Sequence, residues 1–288
     1  MTYITPLSNY KFNLKAKKLE GLARLAQLKV PTVSNLFIVS SKLYEEFNET
    51  GKLPKAAKSE LGKIFESIRK QGDTVTLRNS IYEEKNPGLA FSVHNTLNIK
   101  DYDLLEKKII AGYRKAAREA INPKQIEFSF LLQSFYSSEK CGTLLSSNSV
   151  GHIYIQAIHG QHTTLLLRGD IEPDIYEVSD HNYKLVRSEI ALKIHRMKKM
   201  SSGIRKVKVK PEKQREAVLN TDQIKRIAKL SQQVEKQFGP QEIEWAILDS
   251  GKIIFQETRD FKQSKKVKWS QKADVVFPNL VEGKVINL

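Results

Sequence analysis
Cysteine is nearly absent from this 288-residue chain. Cys141 stands alone, which excludes a disulfide within the chain and speaks against a zinc site built on thiolates. Such usage suits a reducing cytosol, so a soluble, cytoplasmic protein is expected. Long apolar runs are missing too. Nothing approaches the roughly 20 residues that span a bilayer, and residues 1–14 lack a charged segment leading into an apolar one. Neither a membrane partner nor a secretory leader is expected. Acidic residues are scarce beside basic ones, 32 Asp and Glu against 48 Lys and Arg, a formal net charge of +16. That excess turns the list of partners toward anions, whether nucleotides, nucleic acid or an acidic protein surface. Internal repeats and low-complexity tracts are lacking as well. What remains is a globular chain long enough for two domains, or for one domain of two lobes.

Asn13 can cap a helix carrying Leu19, Leu22, Ala23 and Ala26, stopped by Pro31 ahead of a strand at 35–40. Lys15, Lys17 and Lys18 crowd its first turns, where positive charge opposes the helix dipole. A nearby anion would relieve that, whereas a solvated basic face needs none. Apolar stripes between 41 and 71 predict two packing helices broken at Gly51 and Pro54. A short β-branched strand at 74–77 delivers Arg78, Asn79 and Ser80 to its end, where an arginine suits bidentate phosphate contact. Residues 91–99 read as a strand or loop pair, and 101–120 as an amphipathic helix. The most strand-like stretch, 128–136, is expected at the centre of a sheet. Gln133 within it needs a partner in its own fold or on a ligand. Segments 141–147 and 152–158 look like further strands of that same sheet. His159 and His162 lack an acidic or thiol companion, a pattern that fits ordinary histidines better than a metal site.

Residues 185–215 hold most of the excess charge, including Lys193, Lys198, Lys199, Arg205, Lys206 and Lys208. Ile204, Val207 and Val209 alternate with basic residues, as in a strand with one wet face or an exposed flap. Few aromatics are interleaved, which weakens a stacking platform for single strands of nucleic acid. Asn220 caps a long amphipathic helix ended by Gly239 and Pro240. The hairpin that follows, 239–259, turns at Asp249-Ser250-Gly251, and Ile243, Trp245 and Ile247 alternate with Glu244 and Ala246. Glu244 and Gln256 either offer hard oxygens of the kind Mg²⁺ accepts beside phosphates, or line a solvated face.

Five segments, in order, resemble the N-terminal nucleotide-binding domain of the phosphoenolpyruvate synthase, pyruvate phosphate dikinase and rifampin phosphotransferase family, over nearly the whole chain. Residues 18–25 with Lys29-Val30-Pro31 are similar to the family's glycine-glycine-lysine helix and Val-Pro strand. Val75-Thr76-Leu77-Arg78-Asn79-Ser80, with Pro87 and Phe91 beyond, is similar to its Val-Arg-Ser-Ser stretch. Leu131-Leu132-Gln133 with Gly142, and Gly169 with Pro173-Asp174, match two more segments. The most specific is Gly239 to Ala246 followed by Gln256. The resemblance implies an α+β fold of ATP-grasp type, two lobes with mixed sheets and the nucleotide cleft between them. It also implies ATP and Mg²⁺ as ligands. Lys18 and Arg78 would contact phosphates, Arg78 as the catalytic residue, with Thr96 in the phosphate-covering loop. Gln133 and the backbone near Phe135 would meet adenine, and Glu244 with Gln256 would hold Mg²⁺ and the nucleotide tail. Arg259 is counted with the nucleotide-binding residues.

The expected lobes are residues 1–184 and 185–261, followed by a linker and the start of a swivel-domain-like strand in 262–288. In the family this domain passes a phosphoryl or pyrophosphoryl group from ATP to a histidine on a swivelling domain, so the implied partner is a histidine-bearing domain or partner chain. Departures from the pattern support a second reading, a degenerate domain that binds nucleic acid or a partner protein through residues 185–215. The family's two glycines are Ala16 and Lys17 here, and Val93 replaces a glycine that lets the backbone approach phosphate. Its Gly-Leu-Gly-Glu motif survives only as His159-Gly160-Gln161-His162. Its Gln-x-Arg ending becomes Gln256-Glu257-Thr258-Arg259. In that alignment Arg259 is displaced by one residue and, in a regular strand, faces away from Gln256, with Thr258 in its place.

Overall fold
A computed structural model describes residues 2–9, 17–70, 74–86, 89, 93–147, 151–161, 166, 169–201 and 203–261. Asn13, Ala16, Pro87, Phe91, His162 and the expected linker 262–288 lie outside the described residues.

The first sheet is built from β1 (Ile4–Pro6), β2 (Phe37–Val39), β3 (Val75–Tyr82), β4 (Thr96–Ile99) and β5 (Glu127–Ser134), ordered β1-β2-β5-β3-β4. β5 is its central strand, in keeping with its apolar run. Three helices cover one face: α2 (Ser41–Thr50), α3 (Lys55–Lys70) and α4 (Tyr102–Glu119). Their apolar stripes put Tyr44, Phe47, Leu61, Phe65 and Tyr113 into one core with Leu77, Phe128 and Leu132. Asp101 starts α4 by accepting from the Asp103 and Leu104 amides, and Gly51 ends α2 at φ 70°. β3 is longer than expected, so Arg78 lies within the strand and is buried rather than delivered at its end.

The second sheet comprises β6 (Ser138–Leu145), β7 (His152–His159), β8 (Asp174–Ser179), β9 (Leu185–Glu189), β12 (Gln241–Leu248) and β13 (Ile253–Asp260), ordered β13-β12-β6-β7-β8-β9. β6 and β7 were expected in the first sheet. Residues 135–137 carry the chain across instead, the Phe135 amide donating to Thr74 on one side and the Asp249 amide to Ser137 on the other. An apolar strand carries no mark of which sheet it joins. The sheets therefore divide at residues 135–137, and the lobe boundary expected after residue 184 falls between β8 and β9 of one sheet. Pairings between the named strands are antiparallel throughout.

α5 (Thr221–Phe238), opened by a capping box of Asn220 and Gln223, packs Ile227 and Val234 against Ile243, Trp245 and Phe255 on the outer face of this sheet. A third core lies between the sheets, where Leu19 and Leu22 of α1 (Lys17–Gln27) meet Ile38, Leu131, Cys141, Ala246 and Ile254. At the far edge β9 is exposed along its whole length. Leu185, Val186, Ile190, Leu192 and Ile194 are open to solvent there.

The basic region divides into parts with different fates. β10 (His195–Lys199) and β11 (Ile204–Lys208) form a separate two-stranded ribbon with exposed Lys198, Lys199, Arg205, Lys206 and Lys208. Its turn is tied to the first sheet by Asn98, whose side-chain amide donates to the Met200 and Gly203 carbonyls at 3.0 and 3.1 Å. Lys193, expected among the solvated charges, is instead fully buried in an ion pair with Asp174. Asp174 also accepts from the amides of Ala191 and Val218 and from the Tyr176 hydroxyl, which supplies the hydrogen bonds a buried carboxylate needs.

α1 approaches β13 so closely that a Cβ on Gly21 would sit 1.9 Å from the Thr258 carbonyl oxygen. Gly21→Ala should therefore cost about 1–3 kcal/mol through overpacking, read from urea unfolding. An unchanged midpoint would show that helix and strand do not meet at this distance.

Candidate functional site
Alternation places the charged residues. On β3, Thr76 and Arg78 stand opposite Gln133 and Leu131, on the face turned to the second sheet, whereas Leu77 points into the helix-covered core. On β12, Ala246 belongs to the core between the sheets, so Glu244 and Glu242 share that side while Trp245 and Ile243 face α5. β13 would follow the same rule were it regular. It is not: Trp245 pairs with Phe255 but Glu244 pairs with Glu257, leaving Gln256 as the extra residue of a β-bulge.

The bulge reverses the faces of everything after it. Glu257 and Arg259 stand opposite Glu244 and Glu242 on the cleft side, and Thr258 turns inward, where it is buried and donates to Gln241. The expectation that Arg259 points away, with Thr258 in its place, is corrected by this geometry. Gln256 is corrected as well, because Glu257 takes the position opposite Glu244. Gln256 instead offers its backbone carbonyl to Arg78 at 3.0 Å. Glu257-Thr258-Arg259 has the Gln-x-Arg spacing with Glu for Gln, and that was the missed signal in the sequence.

Arg78 crosses from one sheet to the other, donating to the Glu257 carboxylate at 2.8 Å. Lys18, on the first turn of α1, lies 3.9 Å from the same carboxylate, and Arg259 binds Glu242 at 3.1 Å. The first turns of α1 thus do have an anion nearby. Burial lowers the pKa of Lys18, with Glu257 opposing the shift. Burial and the adjacent Glu257 charge push the Glu244 carboxyl up. Burial would raise Glu257 too, but Lys18, Arg78 and Arg259 outweigh it and hold Glu257 below the usual carboxylate range.

The other expected positions divide. Gln133 is buried on the cleft face with its Oε1 lacking a hydrogen-bond partner, an acceptor fit for an exocyclic amine such as that of adenine. Phe135 is buried beside it. Its amide is engaged by Thr74 at 2.7 Å, and its ring lies under the Lys199 ammonium at 5.3 Å. The Phe135 amide is therefore not open to a base. Thr96 is not brought to the cluster, since it pairs with Leu77 on the opposite face from Arg78. A groove along α3 at Gly62 and Glu66, and another between α2 and α4 at Phe47 and Arg114, also lie away from it.

Glu244 and Glu257 are paired hard-oxygen donors that fit Mg²⁺, a cation that takes one or two carboxylates and completes its shell with phosphate and water. Among the described residues no group of three or more His, Cys, Asp or Glu is gathered for a metal held by protein alone. Asn98 and the Asp174–Lys193 pair were not anticipated, and no local pattern marks them.

Burial pushes His159 down to about 4, with Lys193 adding to the shift and Asp174 opposing it. Its Nε2 has no hydrogen-bond partner. The unfolded chain takes up this proton near pH 6.5 and the folded protein resists it, so stability falls as pH drops from about 6.5 toward 4. His159→Gln should flatten that part of the profile in urea unfolding at pH 7, 6 and 5. Parallel curves for the two proteins would exclude His159 as the source.

The sequence family described as "Pyruvate phosphate dikinase, AMP/ATP-binding domain" matches residues 104–276. A probable phosphoenolpyruvate synthase of Methanocaldococcus jannaschii is 27% identical over 264 residues, covering 84% of this chain and 22% of the relative. The phosphoenolpyruvate synthase of Pyrococcus furiosus is 30% identical over 173 residues, covering 56% of this chain and 21% of the relative. The chain thus spans about a fifth of the length of these relatives. Among solved structures, a D-cycloserine synthetase aligns with a TM-score of 0.41 at 12% identity, covering 84% of this chain and 61% of that one.

Proposed function
The chain belongs to the pyruvate phosphate dikinase AMP/ATP-binding domain family, and from that premise we propose that it binds Mg-ATP in the cleft between its two sheets, in the manner of an ATP-grasp domain. There it would pass a phosphoryl or pyrophosphoryl group to a histidine on another domain or chain. The observation that carries this reading is the convergence of Arg78, Lys18 and Arg259 with Glu244 and Glu257 on one face of the cleft. Arg78 has the planar fork for a phosphate, and Lys18 supplies a second cation beside it. Gln133 would orient the base. Bound Mg²⁺ would neutralise phosphate charge, with Glu244 and Glu257 as its protein ligands. The chain's own contribution is position and charge: cations fixed where negative charge gathers as the P–O bond to the nucleotide breaks and the bond to the acceptor nitrogen forms. Cytoplasmic residence belongs to the same proposal. No helix among the described residues is long and apolar enough to cross a membrane.

A second reading has one observation in its favour, the exposed cations of the β10–β11 ribbon. As a nucleic-acid or protein-binding module the chain would use that surface, and binding to nucleic acid would weaken steeply with salt.

Calorimetric titration with ATP, with and without Mg²⁺, separates the two. Saturable, magnesium-dependent binding is expected, reduced at least about tenfold by Arg78→Ala and by Glu244→Ala in variants that still unfold cooperatively. Folded wild-type protein that ignores millimolar ATP, yet binds an oligonucleotide in a salt-dependent way, would favour the second reading.

A further inference from the structure
Three carboxylates and three cations meet in the cleft, Glu242, Glu244 and Glu257 with Lys18, Arg78 and Arg259, so the cluster has no formal net charge. Arg78 is committed at both terminal nitrogens to β13, one to the Glu257 carboxylate at 2.8 Å and one to the Gln256 carbonyl at 3.0 Å. Both Arg78 and Glu257 are only 7% exposed, so water does little to screen their attraction. A triphosphate arriving alone would find its guanidinium already taken and a desolvated carboxylate beside it. A divalent cation would change this balance by competing with Arg78 for Glu257 and adding positive charge to a cluster that has no net charge.

We infer that Glu257 is a metal-dependent latch on Arg78: with no divalent cation it holds the guanidinium against β13, and with one it turns to the metal alongside Glu244 and releases Arg78 to phosphate. The inference rests on the Mg-ATP reading above and concerns the order of binding, metal before nucleotide, at that site. Glutamine at 257 would keep the shape and one oxygen while removing the charge, so it should weaken the latch without emptying the space.

Two titrations test this. Mn²⁺ alone, followed by electron paramagnetic resonance, should bind the wild-type chain without nucleotide, and Glu257→Gln should weaken that binding about tenfold or more. In calorimetry with ATP, the wild type should bind at least about tenfold more weakly in EDTA than in Mg²⁺, whereas Glu257→Gln in EDTA should come within about threefold of its own Mg²⁺ affinity. No Mn²⁺ binding by the wild type would overturn the latch whether or not the variant folds. So would an equal metal dependence of ATP binding in the two proteins, which leaves the nucleotide reading standing. Folded protein that binds no ATP under either condition would overturn both.

Discussion
An arginine buried between two sheets cannot be left unpaired, and this chain answers that need with a carboxylate brought in by one extra residue. The Arg78–Glu257 ion pair joins β3 of the first sheet to β13 of the second, and Gln256, bulged out of register, is what puts Glu257 within reach. Without the bulge the strand would present Gln256 and Thr258 to the cleft and turn both Glu257 and Arg259 away, leaving Arg78 without its carboxylate. Breaking a buried pair of this kind is costly because the surviving charge stays buried, on the order of 3–5 kcal/mol. The same pair that joins the sheets also occupies the guanidinium that faces the cleft.

The two cores outside the cleft follow from ordinary periodicity. Helices α2, α3 and α4 bury the stripes their spacing shows, and α5 begins at the asparagine and ends at the glycine that mark it. Capping and apolar recurrence act over a few residues, so sequence alone reveals them. Which sheet β6 and β7 join is decided by the crossing at residues 135–137, a contact between distant parts of the chain that local pattern does not encode. Hence a lobe boundary after residue 184 falls inside the second sheet, while the sheets themselves part at residues 135–137.

The site was legible to the same degree. Arg78, Gln133 and Glu244 share the face between the sheets because alternation on β3, β5 and β12 is regular enough to carry a residue to its face, and Lys18 on α1 reaches Glu257 there. Gln256 failed because a bulge breaks alternation, and a bulge is invisible to a rule of period two. Thr96 failed for a related reason. The pairing of β3 with β4 slips between Val75 and Leu77, and Thr96 ends on the helix-covered side. Lys193 looked like one solvated lysine among many, yet Asp174, nineteen residues earlier, gathers enough donors to bury it. Charge density along the chain says little about where charge sits when an acid that far away can claim one member of the run.

The six-stranded sheet has unlike borders. One is sheathed: Thr32 and the Pro31 carbonyl bond to Phe255, and α1 lies against Thr258. The other, β9, has its second side bare among the described residues, with aliphatic side chains around it. Any growth of this sheet, by a neighbouring chain or by misassembly at high concentration, has a single direction to take. Charged Arg187 and Glu189, together with the irregular pairing at Val178, are the checks the strand itself places on that growth.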